Sequence, residues 1–150
     1  MRSRGELKID PGSIGAGGGT EELEVVVLHL DAELTPALLR RAGELTAGLN
    51  ARIVLLAVHT VPFPASYASA TASHAHLVSQ LVELAESCPV AVAPHVVLAR
   101  GLEEGVRYVL KDGSTVLIGT RRQLWKSAGE RLARSLAGDG HKVALVRVAG

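Results

Sequence analysis

From Leu23 onward, short apolar runs alternate with stretches in which apolar residues recur every three or four positions. Val25-Val26-Val27-Leu28-His29-Leu30 is a continuous apolar run, the pattern of a strand covered on both faces. Thr35-Pro36 then predicts a helix start, with Thr35 as N-cap and proline at the first helical position. Leu38, Ala42, Leu45 and Leu49 follow at helical spacing, while Arg40, Arg41 and Glu44 lie off that stripe. Asn50 is read as a left-handed stop.

The same alternation continues. Ile53 to Val58 predicts a second strand, followed by Pro62, Pro64 and a small-residue loop from Ala65 to Ala70. A second helix is predicted from Thr71 or Ser73, with Leu77, Val78, Leu81, Leu84, Ala85 and Cys88 inward and Pro89 ending it. Val92 to Ala99 predicts a third strand, and Pro94, which has no amide hydrogen to donate, assigns it to a sheet edge. Leu102 to Lys111 is a short helix, Asp112-Gly113 a turn, and Val116-Leu117-Ile118 a fourth strand ending at Gly119-Thr120. Ser127-Ala128-Gly129-Glu130 has the form of a capping box for a last helix anchored by Leu132 and Leu136. Gly138-Asp139-Gly140 stops that helix before a fifth strand, Val143 to Val146.

This order predicts an α/β fold: a three-layer, doubly wound sandwich around a five-stranded parallel sheet of order 3-2-1-4-5. In such a sheet the ligand crevice lies beyond the carboxyl ends of strands one and four, where the winding reverses. Asp31 and Gly119-Thr120 fall there. Residues 1–20 read as a flexible tail, because Pro11 to Thr20 is a glycine-rich linker that precedes any strand, and residues 21–150 as one domain.

Composition narrows the function classes. Apolar residues make up 47% and aromatic residues 3%, so the core is aliphatic. A net charge of +1 provides no basic field for nucleic acid, and no apolar run reaches the roughly 20 residues that span a bilayer. Met1 to Asp10 lacks the apolar stretch of a signal peptide, and a cytoplasmic location is expected. The single cysteine, Cys88, excludes an internal disulfide and a cysteine-built zinc site and reads as a small core residue.

Among the six histidines, His74 and His76 point to different sides of a helix, and His95 starts its strand where His29 and His59 end theirs. No metal site is therefore expected. There is no nucleophile elbow, phosphate-loop lysine or placed carboxylate pair, so no enzymatic activity is predicted.

Val27 to Asp31, the following helix and Ala51 to Val58 resemble the opening of a universal stress protein, which has a hydrophobic strand ending in Asp, a helix and a second such strand. Val116-Leu117-Ile118-Gly119-Thr120-Arg121, the helix containing Glu130-Arg131-Leu132 and the final valine-rich strand resemble that family's close. The resemblance covers Leu23 to Val148 and implies a small regulatory domain that binds ATP or another adenine nucleotide, or a protein partner. It also implies a homodimer formed through the last strand.

ATP-binding members carry G-x2-G-x9-G-[S/T] after strand four, where glycines let backbone amides reach phosphate oxygens. This chain keeps Gly119, has Arg122 at the second glycine, and matches the last pair with Lys126-Ser127 after only Gln123, Leu124 and Trp125. That loop is too short to wrap a triphosphate in the family's manner.

The candidate ligand-binding set is Asp31, Val58, Gly119, Thr120, Arg121, Arg122, Lys126 and Ser127. Asp31 has two readings, contact with a base as the resemblance implies or local capping of its own turn. Ser127 is a phosphate contact or a helix cap. Arg121, Arg122 and Lys126 form an anion-binding loop or a solvated one. Two other classes stand beside the regulatory reading: an accessory domain of a membrane transporter, and a nucleotide-hydrolysing enzyme of the same fold.

Overall fold

The computed structural model describes residues 22–111, 114–121 and 128–148. Five parallel strands, β1 (Leu23–Leu28), β2 (Ala51–Thr60), β3 (Val92–Ala99), β4 (Thr115–Arg121) and β5 (Lys142–Val148), form one sheet of order β3-β2-β1-β4-β5. The predicted order is the observed one, with Pro94 on the edge strand β3. The helices are α1 (Thr35–Thr46), α2 (Thr71–Glu86), α3 (Leu102–Val109) and α4 (Ala128–Gly138), with a 3₁₀ turn at Tyr67–Ala70 before α2.

Side chains alternate across the sheet, so each strand feeds two cores. Val25, Val27, Leu55, Ala57 and Leu117 pack under α1 and α2 with Leu38, Leu39, Ala42 and Leu81. Val26, Leu28, Leu56, Val116 and Ile118 pack under α3 and α4 with Val106, Leu132 and Leu136. The helices therefore cover both faces, giving the three layers. None of the helices among the described residues is long and apolar enough to cross a membrane.

Several element ends differ from the sequence reading. Thr35 is the first helical residue and Leu34 precedes it as N-cap. Thr35 is completely buried, and its hydroxyl turns back to the Asp31 carbonyl at 3.0 Å instead of capping forward. The left-handed residue after α1 is Gly48, with φ +78°, two positions before Asn50. Asn50 leads directly into β2, and its carbonyl accepts the Leu23 N–H at 2.9 Å. α3 stops at Val109 because Leu110 is extended, at ψ 137°.

The end of α4 is closed as its sequence suggests. Gly140, at φ +92°, donates to the Ala137 carbonyl while His141 donates to that of Leu136, the paired bonds of a Schellman stop. Cys88 is half-buried against the α1/α2 core, with Sγ 3.4 Å from the Leu84 carbonyl. The tail over residues 1–20, the Asp112-Gly113 turn and the Ser127 half of the capping box lie outside the described residues.

Candidate functional site at the carboxyl ends of the strands

β1 and β4 run side by side with Val27 opposite Leu117. Carrying that register two residues further sets His29 level with Gly119, and Asp31 follows just beyond. The carboxylate and the glycine thus share the carboxyl end of the sheet at the strand pair where the winding reverses. Thr120 and Arg121 continue β4 past that level. The side chains of Thr120 and Arg121, and all of Arg122, Lys126 and Ser127, lie outside what is described.

Asp31 organises the turn between β1 and α1. Its Oδ1 accepts the Glu33 N–H at 2.8 Å, and its carbonyl accepts the N–H groups of Leu34 and Thr35. This is the Asx-type arrangement by which a short carboxylate closes its own turn. One carboxylate oxygen is thereby assigned to the backbone.

Half-buried His29 and buried Thr35 form the floor beside this turn. His29 Nδ1 lies 2.7 Å from Thr35 Oγ1. The hydroxyl has one proton, and with it on the Asp31 carbonyl, His29 donates from Nδ1. Burial holds the His29 imidazole below its ordinary value, and the nearby Asp31 charge opposes that shift.

This arrangement sets a pH dependence. The folded-state value lies below the unfolded one, so the unfolded chain takes up the proton first. Stability from this site is complete above the ordinary histidine value near 6.5 and is lost as pH falls beneath it. The urea midpoint is expected to drop between about pH 7.5 and about pH 5.5. His95, lowered by partial burial and by Arg52, acts in the same direction. His29→Asn, whose amide nitrogen can occupy the Nδ1 position, therefore flattens the slope only in part. Equal slopes for the two proteins would refute the assignment to His29.

Gly119 has a packing explanation. A Cβ built there would lie 3.0 Å from Leu38 Cδ1 and 3.2 Å from its Cγ, so the glycine lets α1 sit close to β4. Val58 also has a packing role: its methyls face Gly105 of α3, on the α3/α4 side of the sheet. The structure therefore brings Asp31 and Gly119 to one end of the molecule but directs the Val58 side chain into the layer under α3.

Two arrangements at the same end were not anticipated from sequence. Arg100, just after β3, closes the loop that follows β2. Its Nη1 donates to the carbonyls of Val61 at 3.0 Å and Ala65 at 2.5 Å, and the guanidinium lies 4.1 Å from the Phe63 ring centre and 4.2 Å from that of Tyr67. A planar cation suits such a place because it donates within its plane while its faces meet rings. The signal was one arginine after an edge strand, and nothing local in the sequence ties it to a loop 35 residues earlier. The second arrangement is His59 beside His74, with ring centres 5.9 Å apart.

Elsewhere, grooves of about 580 and about 550 Å³ flank Cys88, Pro89 and Val90, the first against β3 and the second against α1. Burial pushes the Cys88 thiol up. Set against known proteins, the chain matches no family model and no curated protein.

Proposed function

We propose that this chain is a universal-stress-like regulatory domain that takes a small ligand of the adenine-nucleotide class at the carboxyl ends of β1 and β4 and acts in the cytoplasm. The observation that carries the reading is the meeting of Asp31 with the end of β4 at the strand pair where the winding reverses. Ligands of open α/β sheets bind at that point. The close contact of Leu38 with Gly119 argues against a phosphate cradle of the ATP-binding kind, because the space a Cβ would occupy there is already taken by α1. A mononucleotide held by its base at Asp31 and by its phosphate at the basic loop from Arg121 to Lys126 fits this chain better than a wrapped triphosphate.

Calorimetry with ATP, AMP and cyclic dinucleotides tests the reading. Asp31→Asn is the informative variant, since an amide oxygen still accepts the Glu33 N–H while the charge and one acceptor are removed. Binding heat that this variant weakens tenfold or more supports the site, whereas no heat at millimolar ligand rejects it. The same domain is proposed to form a homodimer through β5, an edge strand with Leu145 47% exposed. Sedimentation as a monomer at micromolar concentration would reject that assembly.

A further inference from the structure

The loop after β2 leads into α2 on one face of the sheet, whereas Arg100, after β3, leads into α3 on the other. The bonds from Arg100 to the Val61 and Ala65 carbonyls therefore tie the two connections together across the carboxyl end of the sheet. β1 is the next strand, with Leu28 opposite Leu56, so Asp31 and Val61 are one strand apart and two residues out of level. Continued strand rise and spacing put them roughly 8 Å apart. The tie thus stands beside the crevice at Asp31, on the side away from β4.

This wall is aromatic in a chain whose core is aliphatic. The sequence has one phenylalanine, two tyrosines and one tryptophan, and the phenylalanine and one tyrosine share this loop. Phe63 is 77% exposed and Tyr67 41%. The Arg100 guanidinium lies over both rings. It covers one face of Phe63, and the exposure of that ring leaves the other face open. Anchored on two carbonyls, Arg100 holds the ring in place before a ligand arrives, which lowers the ordering cost of stacking on it. Every nucleobase has a π face for such a platform.

We propose that Phe63, positioned by Arg100, is the stacking platform for the base of the bound nucleotide, so that the site selects a planar aromatic group. The inference rests on the nucleotide reading above and adds a second contact to it: Asp31 offers an acceptor to the edge of the base, and Phe63 meets its face.

The test compares AMP with ribose 5-phosphate, which keeps the sugar and phosphate and lacks the base. With a single phenylalanine in the chain, the ring signals of phenylalanine-labelled protein report Phe63 alone. AMP is expected to shift them upfield by its ring current, and ribose 5-phosphate to leave them in place. In Arg100→Lys, whose ammonium cannot lie flat against the rings, the shift at saturating AMP shrinks. By calorimetry, Phe63→Leu weakens AMP by about fivefold or more, the loss of one stacked base, and the exposed position leaves the fold intact. If Asp31→Asn weakens AMP while Phe63→Leu binds like the parent and the ring signals stay still, the platform is overturned and the nucleotide reading stands. A loss in Phe63→Leu but not in Asp31→Asn keeps the platform and rejects the Asp31 contact. No heat from AMP at millimolar concentration overturns both.

Discussion

Leu117→Ala is expected to lower the unfolding free energy by about 2–5 kcal/mol, the range for a large aliphatic side chain removed from a core that relaxes only partly. Leu117 has no exposed surface. It sits in β4 with Val27 on one side and Ala144 on the other, under Leu38, Leu39 and Leu81. Both neighbouring strands hold its backbone, so the cavity cannot close by a shift of β4. Domains of this size are stable by only about 5–15 kcal/mol, so the loss is a large fraction of the whole. Urea unfolding should show a lower midpoint with an unchanged slope. Leu49→Ala is the control, because Leu49 is 57% exposed beyond the end of α1, and it should cost under about 0.5 kcal/mol. Equal losses for the two variants would mean that Leu117 is not held in a closely packed core under α1 and α2.

The fold was legible because its signals are local and redundant. Val25 to Leu28 and Ile53 to Ala57 are continuous apolar runs, and such runs suit strands with helices on both faces. Pro94 marked its strand as an edge through a missing donor, which no neighbouring residue can replace. The meeting of Asp31 and the end of β4 followed from strand order and direction alone.

What stayed hidden depends on contacts between elements. Thr35 looks like a helix cap in sequence, and only the burial of its hydroxyl against His29 shows it bonding backward. Gly119 reads as the first glycine of a phosphate motif until the rotation of α1 sets Leu38 against it. His74 was compared with His76 because they share a helix, yet its neighbour is His59 across a loop. Periodicity tells which face a residue occupies. It carries no information about which residue of another element stands opposite.

Gly105→Ala tests one of those hidden contacts, and the expected sign is opposite to the usual rule. In a helix interior, glycine to alanine ordinarily gains about 1 kcal/mol. Here the new Cβ would stand 2.5 Å from Val58 Cγ1, 3.0 Å from Cγ2 and 3.1 Å from the Ala99 Cβ. Val58 is β-branched and stiff at χ1, and β2 is paired on both sides, so neither the side chain nor the strand has room to retreat. Overpacking of this kind costs about 1–3 kcal/mol, which exceeds the helix gain over most of that range. Val58→Ala removes the two methyls in the way. The double variant should therefore recover stability relative to the sum of the single changes, with a coupling of about 1–2 kcal/mol. Thermal or urea melts of the four proteins measure it. If Gly105→Ala is as stable as the parent and no coupling is found, Val58 is not held against α3. Its side chain then returns to the ligand candidates at the end of β2, and the division between packing and binding residues at this end of the sheet must be redrawn.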